Sequence, residues 1–250
     1  MNGFLLAWSF LTRVPTPLVD PVTPADLGRA TRWYPLVGLA VGGVQIAALT
    51  VGSWTVSPFF GAVLCVAAGE WFTRGLHLDG FADCLDGLLV NGGPDPVAAR
   101  ARTLAVMKDP HVGGLGAAGV AIWVLLRVAA VQAAVAHAAV VPALLGGAVL
   151  SRALIATDVR QFPAASERGL YASLRGGVST VDAAIAGAAG VLAAAWMVKA
   201  DPARGALAVL LVVVVPAFWH RAWLKKLGGI NGDVVGAAVQ IRELLVWAFL

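Results

Sequence analysis

Three aspartates are regularly spaced in a short apolar stretch, residues 75–87 (GLHLDGFADCLDG). Asp79, Asp83 and Asp86 lie at positions i, i+4 and i+7, so a helix would place their side chains on one stripe. Like charges on one stripe repel one another and destabilise a bare helix. Because hard divalent cations prefer carboxylate oxygens, the spacing predicts a metal site with Asp79, Asp83 and Asp86 as ligands.

Other interpretations of this region remain open. The three aspartates could form a solvated helix face, but their apolar surroundings favour a functional role, since carboxylates in membrane proteins are usually functional. Glu70 is either a further metal ligand or the partner of Arg74 at i, i+4. His77 is either an acid–base group or a structural, hydrogen-bonded imidazole.

Further charged residues lie in the polar segments, several of them beside glycine-rich turns. Arginine forks bind phosphate oxygens, and glycines let backbone N–H groups approach an anion. Acidic groups and arginines together therefore indicate a polyphosphate substrate held with Mg²⁺. Asp109 could instead form a turn before Pro110, Asp233 could be a helix N-cap, and Arg152 could snorkel. The predicted substrate contacts are Asp109, Arg152, Arg160, Arg168, Arg175 and Asp233.

The composition indicates an integral membrane protein. Of 250 residues, 59% are hydrophobic and 13% are charged, and the mean hydropathy is +0.82. A soluble domain has about 25% charged and about 45–50% apolar residues. The short alternating segments of a β-barrel are absent, and the abundant small residues favour close helix packing.

Apolar stretches near the ~20 residues needed to cross a bilayer predict the spans. A further candidate, 234–250, contains Arg242 and Glu243 and is either a span or a partly buried or interfacial helix. The predicted fold is an all-α, polytopic membrane protein with about 6–7 transmembrane helices, in a single integral-membrane domain over residues 1–250. The six clearest stretches are 36–56, 57–72, 112–132, 136–157, 180–198 and 205–220.

The basic residues alternate between the predicted connections. Fourteen of the 18 Lys and Arg residues fall on one side and two on the other. The positive-inside rule therefore places the N-terminus, the aspartate stretch and the long loops in the cytoplasm, which makes the polar catalytic face cytoplasmic. The same asymmetry explains the basic isoelectric point, so no nucleic-acid partner is expected.

Four motifs resemble those of one enzyme family in the same order. They are residues 10–15 (FLTRVP), 75–88 (GLHLDGFADCLDGL), 107–116 (MKDPHVGGLG) and 231–238 (NGDVVGAA). In this combination the chain resembles the cobalamin synthase family, the adenosylcobinamide-GDP ribazoletransferases, from about residue 4 to the C-terminus. Through the first motif the resemblance adds Arg13 to the predicted substrate contacts.

The resemblance implies a reaction and its partners. The family joins adenosylcobinamide-GDP to α-ribazole, or to its 5′-phosphate, releases GMP and forms adenosylcobalamin or its 5′-phosphate, with Mg²⁺ as cofactor. Asp79, Asp83 and Asp86 would then be catalytic as well as metal-binding. The expected location is the inner (plasma) membrane, as a multi-pass protein in the lipid bilayer. The small-residue helix faces are compatible with a homo-oligomer, and the resemblance implies a possible cobalamin-pathway complex.

Two alternative functions are weighed against this one. Residues 83–87 (DCLDG) resemble half of the CDP-alcohol phosphotransferase pattern, but residues 88–91 (LLVN) lack the Ala-Arg that follows in it. A cation-coupled transporter would place charges near the bilayer midplane, often on broken helices in repeated halves. Here the charges collect on one face and no repeat is visible, so the transferase is favoured.

Overall fold

The computed structural model describes residues 2–17, 21–91 and 93–250. The residues in these ranges form helices and connecting loops, with no strand among them. This confirms the predicted all-α class. The α-helices in the described ranges are α1 Gly3–Leu11, α2 Pro24–Ala30, α3 Tyr34–Thr55, α4 Pro58–Phe72, α5 Leu76–Leu88, α6 Pro96–Val106, α7 Gly114–Ala136, α8 Gly147–Gln161, α9 Leu170–Gly177, α10 Thr180–Ala200, α11 Pro202–Leu227 and α12 Gly232–Phe249.

Local sequence signals set several of these helix ends. Ser179 and Asp182 form a reciprocal capping box at the start of α10, which satisfies N–H groups that have no partner inside the helix. The Asn231 side chain accepts a hydrogen bond from the N–H of Val234 at the start of α12. Gly228 ends α11 with a φ of 67°, a left-handed conformation that glycine adopts without strain.

Five helical stretches are long and apolar enough to cross a membrane, which supports a multi-pass protein. The predicted span at 57–72 is α4, a helix of 15 residues that is shorter than a typical span. The segment that precedes α8, Pro142–Gly146, is a π-helical turn continuous with it. The five stretches are Pro24–Thr55, Gly114–Ala136, Pro142–Gln161, Thr180–Ala200 and Pro202–Leu227.

The last helix, α12, lies inside the helix bundle. It packs against α5, α7, α8 and α11, and its polar residues Gln240, Arg242 and Glu243 are buried. The candidate segment 234–250 is therefore enclosed by protein for most of its length. This explains how a helix with two adjacent charges can occupy the centre of a membrane protein.

Buried ion pairs connect α12 to its neighbours. The Glu243 carboxylate accepts hydrogen bonds from Arg127 of α7 at 2.8 Å and from Arg152 of α8 at 2.6 Å. Arg242 pairs with both carboxylate oxygens of Asp158 at 2.7 and 2.9 Å. Mutual neutralisation is what makes such charges tolerable away from water. These pairs fix the rotation and depth of α12, which carries part of the site described next.

Candidate active site

Helix α5 carries the three aspartates on one face, as their spacing predicts. It begins after Gly75, which has a φ of 65°, and runs through all three residues. Asp79 is exposed, and Asp83 and Asp86 are half-buried. A partly buried row of carboxylates on one helix is the acidic feature that the sequence predicts.

The Asp86 carboxylate closes the N-terminus of α7. Its oxygens accept hydrogen bonds from the backbone N–H groups of Gly113 at 2.7 Å and Gly116 at 2.8 Å. A Cβ added to either glycine would collide with this carboxylate. The glycine-rich turn was predicted to let backbone N–H groups approach an anion, and in this structure the anion is Asp86. Each carboxylate oxygen keeps a further lone pair, so Asp86 still has acceptor capacity.

A fourth carboxylate, Asp233, joins the stripe from the first turn of α12. Gly80 permits this approach, since a Cβ there would lie only 2.8 Å from the Asp233 Cα. Burial, with the charges of Asp233, Asp79 and Asp86, raises the pKa of Asp83 to about 7. Burial and the charge of Asp79 raise the pKa of Asp233 to about 6. The four aspartates therefore form one electrostatically coupled group, called here the acidic stripe.

The acidic stripe suits a metal ion that the protein and a bound substrate coordinate together, rather than an ion coordinated by protein side chains alone. Among the described residues, no three His, Cys, Asp or Glu side chains are grouped closely enough to hold an ion by themselves. Burial and repulsion among the aspartates raise the pKa of Asp83 and of Asp233, so a bound cation would stabilise their charged forms. Mg²⁺ typically takes one or two carboxylates and completes its shell with waters and substrate phosphates. The donor set fits that mode of binding.

Glu70 has different partners from those expected. Its Oε1 accepts hydrogen bonds from Arg127 and, at 3.0 Å, from Gln240. Arg74 instead donates to the carbonyls of Ser9 and Phe10 at 3.0 and 3.2 Å. Of the two alternatives for Glu70, the pair with Arg74 does not form, because α7 and α12 bring other partners to the carboxylate. The role of Glu70 as a metal ligand stays a prediction.

Arg152 is the least accessible of the predicted substrate contacts. Its side chain is 2% exposed and donates to Glu243, to the Ala148 carbonyl and to Ser151. It belongs to the buried ion-pair cluster that holds α12, and a direct contact with phosphate stays a prediction that its position does not support. The sequence places Arg152 in an apolar helix but does not show its partner Glu243, which is 91 residues away.

The other predicted arginines lie at the surface. Arg160 donates to the Val178 carbonyl and Arg175 to the Phe162 carbonyl, each at 3.0 Å, so both brace the α8–α9 connection. Arg13 stacks over the Trp71 ring at 4.0 Å. Arg168 lines the cavity described below. Arg168 is therefore the predicted arginine that the structure brings to the site most directly.

Residues 108–111 form an exposed polar turn near the acidic stripe. Asp109 accepts hydrogen bonds from the backbone and ring of His111 at 2.9 and 2.8 Å, and these bonds lower its pKa. The contact of Asp109 with substrate stays a prediction. Lys108, which the sequence analysis missed, lines the cavity. Its positive charge offsets part of the rise in the pKa of Asp233. The sequence signal that could have indicated Lys108 was its position next to Asp109 in the third motif.

A cavity of about 320 Å³ opens beside Asp233. It lies where the ends of α1, α5, α6, α8, α9 and α12 meet. The connections that the charge pattern assigns to one side of the membrane therefore lie at one end of the molecule. Its lining is mainly apolar and includes His77, whose pKa burial lowers to about 3, so the ring is neutral. A second, open groove between α5 and α7 is lined by Arg74 and Asp79. The acidic stripe thus has a binding space on each side.

The fold and the site together define an all-α polytopic membrane protein with an acidic, phosphate-compatible centre at one end. The family of cobalamin-5-phosphate synthases matches residues 3–250, and the chain belongs to that family. The resemblance carried by the four motifs is thereby confirmed. The CDP-alcohol phosphotransferase and transporter alternatives are not favoured.

Individual relatives match over nearly their whole length. A protein named adenosylcobinamide-GDP ribazoletransferase from Brevibacillus brevis is 33% identical over 98% of this chain and 96% of the relative. One of the same name from Leptothrix cholodnii is 36% identical over 98% of this chain and 92% of the relative. One from Acinetobacter baumannii is 33% identical over 100% of this chain and 97% of its own. No solved structure matches the chain.

Proposed function

We propose that the protein joins adenosylcobinamide-GDP to α-ribazole, or to α-ribazole 5′-phosphate, and releases GMP in the last assembly step of cobalamin. The observation that carries this function is the acidic stripe, set between an apolar cavity and an open groove, in a chain whose full-length relatives carry that enzyme name. One end of a membrane protein thereby offers space for two substrates around one charged centre.

In the proposed reaction a ribose hydroxyl of the nucleoside attacks the phosphorus attached to the cobinamide arm. The new P–O bond forms as the bond to the bridging oxygen breaks, and GMP leaves with that electron pair. The hydroxyl proton passes to a carboxylate of the acidic stripe. Asp86, fixed by two backbone N–H groups, holds the C-terminal half of the stripe in place against α7. Arg168 and Lys108 supply positive charge near the departing phosphate.

Mg²⁺ is the proposed cofactor, and one or two carboxylates from among Asp79, Asp83, Asp86 and Asp233 would hold it together with the substrate diphosphate. When bound, it would neutralise charge on the diphosphate and on the leaving GMP. Burial and the charges of its neighbours raise the pKa of Asp83, and a bound Mg²⁺ would offset the repulsion among these carboxylates.

We further propose that the site faces the cytoplasm from the inner membrane. The basic residues of the connections concentrate at the end that carries the acidic stripe, as the positive-inside rule requires for a cytoplasmic face. Exposed large apolar side chains on the long helices, Ile122, Leu125 and Val213 among them, suit contact with lipid. Small residues on the same helices would also permit a homo-oligomer or a pathway complex.

The proposed reaction is tested with purified protein in nanodiscs. Adenosylcobinamide-GDP, α-ribazole and Mg²⁺ are supplied, and chromatography follows GMP and the corrinoid product. We expect the two products in equal amounts and none when EDTA removes the metal. GMP release without a joined corrinoid, or joining that EDTA does not affect, would contradict the proposal.

Replacing Gly116 with alanine is expected to lower turnover by about 10- to 100-fold, the cost typical of disturbing a residue that orients a metal ligand. The added Cβ meets the Asp86 carboxylate and moves it away from the N-terminus of α7. Gly114→Ala is the matched control on the same turn, because nothing lies within 4 Å of its Cβ position. Equal turnover of the two variants would show that the position of Asp86 is unimportant.

A further inference from the structure

The cavity beside Asp233 has the size of a subsite for one heterocycle with its sugar. Its volume of about 320 Å³ is at the lower end of the roughly 300–1,000 Å³ of small-molecule sites. A corrinoid macrocycle with its side arms is too large for it. Phe10, Leu76, Ile155 and Leu174 contribute apolar walls, which suit the face and methyl groups of an aromatic ring.

His77 is a buried polar side chain of the cavity lining. His77 lines the cavity and is 5% exposed, and within the described part of the chain its ring makes no hydrogen bond. The ring of His77 is therefore available to hydrogen-bond a ligand atom in the cavity. Since Asp233 lines the same cavity, a ligand seated there is next to the acidic stripe.

We propose that this cavity is the subsite for the base of the accepting nucleoside and that His77 hydrogen-bonds the unsubstituted nitrogen of its imidazole-type ring. This inference rests on the proposed function and adds the location and recognition of one substrate. The dimethylbenzimidazole base of α-ribazole offers one free ring nitrogen on an otherwise apolar bicycle, which suits the His77 ring in a mainly apolar lining.

The location is tested by filling the cavity. Ala172 of α9 lines it, and Ala172→Leu is expected to raise the KM for α-ribazole at least about tenfold while the KM for adenosylcobinamide-GDP stays unchanged. Ser173→Leu, the neighbouring position outside the lining, is the control and should leave both constants unchanged. A rise in the KM for adenosylcobinamide-GDP would place guanine in the cavity and overturn the proposal, as would no change in either constant.

The role of His77 is tested with a ligand that lacks the nitrogen. The α-riboside of dimethylindole has a C–H where α-ribazole has its free ring nitrogen. With the unaltered protein this analogue should react with a KM about three- to tenfold higher, the effect of one neutral hydrogen bond. His77→Leu should raise the KM for α-ribazole by a similar factor and should add nothing for the indole analogue. Equal losses for both ligands would overturn the assignment.

These experiments separate the subsite from the function on which it depends. If the unaltered protein forms GMP and the joined corrinoid, the proposed function holds whatever the variants show. The analogue series on the unaltered protein requires no substitution, so it tests the hydrogen bond even if His77→Leu fails to fold. Thermal unfolding of each variant, followed by tryptophan fluorescence, identifies a loss that comes from misfolding.

Discussion

Asp83→Asn is expected to lower turnover by at least about 10³-fold, or about 4 kcal/mol of transition-state stabilisation, in a protein that still folds and inserts. Asp83 is central in the acidic stripe, since the charges of Asp233, Asp79 and Asp86 all act on it. An amide keeps the shape but removes the charge that would hold a metal against the diphosphate. The loss should appear mainly in kcat, measured from GMP release in nanodiscs.

Asp201→Asn is the matched control for this substitution. Asp201 caps the first turn of α11 through the Arg204 N–H at 3.0 Å, in the α10–α11 turn, far along the chain from the stripe. Asparagine caps helices about as well as aspartate, so turnover and stability should not change. Removing a like charge from a repelling stripe should also leave the Asp83→Asn protein no less stable. Turnover near that of the unaltered protein would contradict the metal role of the stripe.

Glu243→Gln is expected to reduce the free energy of unfolding by about 3–5 kcal/mol, the usual cost of breaking a buried ion pair from one side. Glu243 is 2% exposed and receives hydrogen bonds from both Arg127 and Arg152. Without its charge Arg152 lies buried with no carboxylate partner, and Arg127 keeps only Glu70. Reversible unfolding in mixed detergent micelles, followed by tryptophan fluorescence, measures the change.

Two further variants show whether the loss comes from unpaired charge. In the double variant Glu243→Gln and Arg152→Met the stranded cation is gone, so part of the stability should return. Arg204→Gln removes an exposed cation that lies 3.9 Å from Asp201 and should change stability by less than about 0.5 kcal/mol. A Glu243→Gln protein as stable as the original would contradict the view that this cluster holds α12 in place.

The features that could be predicted from sequence are those set by local spacing and composition. The positions of Asp79, Asp83 and Asp86 predict a shared helix face, and α5 places them on one helix. Hydropathy predicts the long spans because burial in lipid demands uninterrupted apolar residues. The short stretch 57–72 corresponds to α4, and the open alternative for 234–250 is decided by α12, which neighbouring helices enclose.

The features that could not be predicted depend on contacts between distant parts of the chain. Glu70 meets Arg127 instead of Arg74, and Arg152 meets Glu243, because the bundle brings together residues 57 and 91 positions apart. Spacing along one helix cannot reveal such partners. The approach of Asp233 to Asp79 and Asp83 likewise depends on Gly80, whose missing side chain has meaning only once α12 is packed on α5.

The most direct test of the acidic stripe is metal binding measured with Mn²⁺ in place of Mg²⁺. Electron paramagnetic resonance would follow free Mn²⁺ in the presence of the reconstituted protein, with and without adenosylcobinamide-GDP. Because the described carboxylates do not form a three-ligand site alone, we expect weak binding without the diphosphate and at least about tenfold tighter binding with it. Asp83→Asn should abolish the gain. Tight Mn²⁺ binding that is unchanged in Asp83→Asn, or no gain with the diphosphate, would contradict the account.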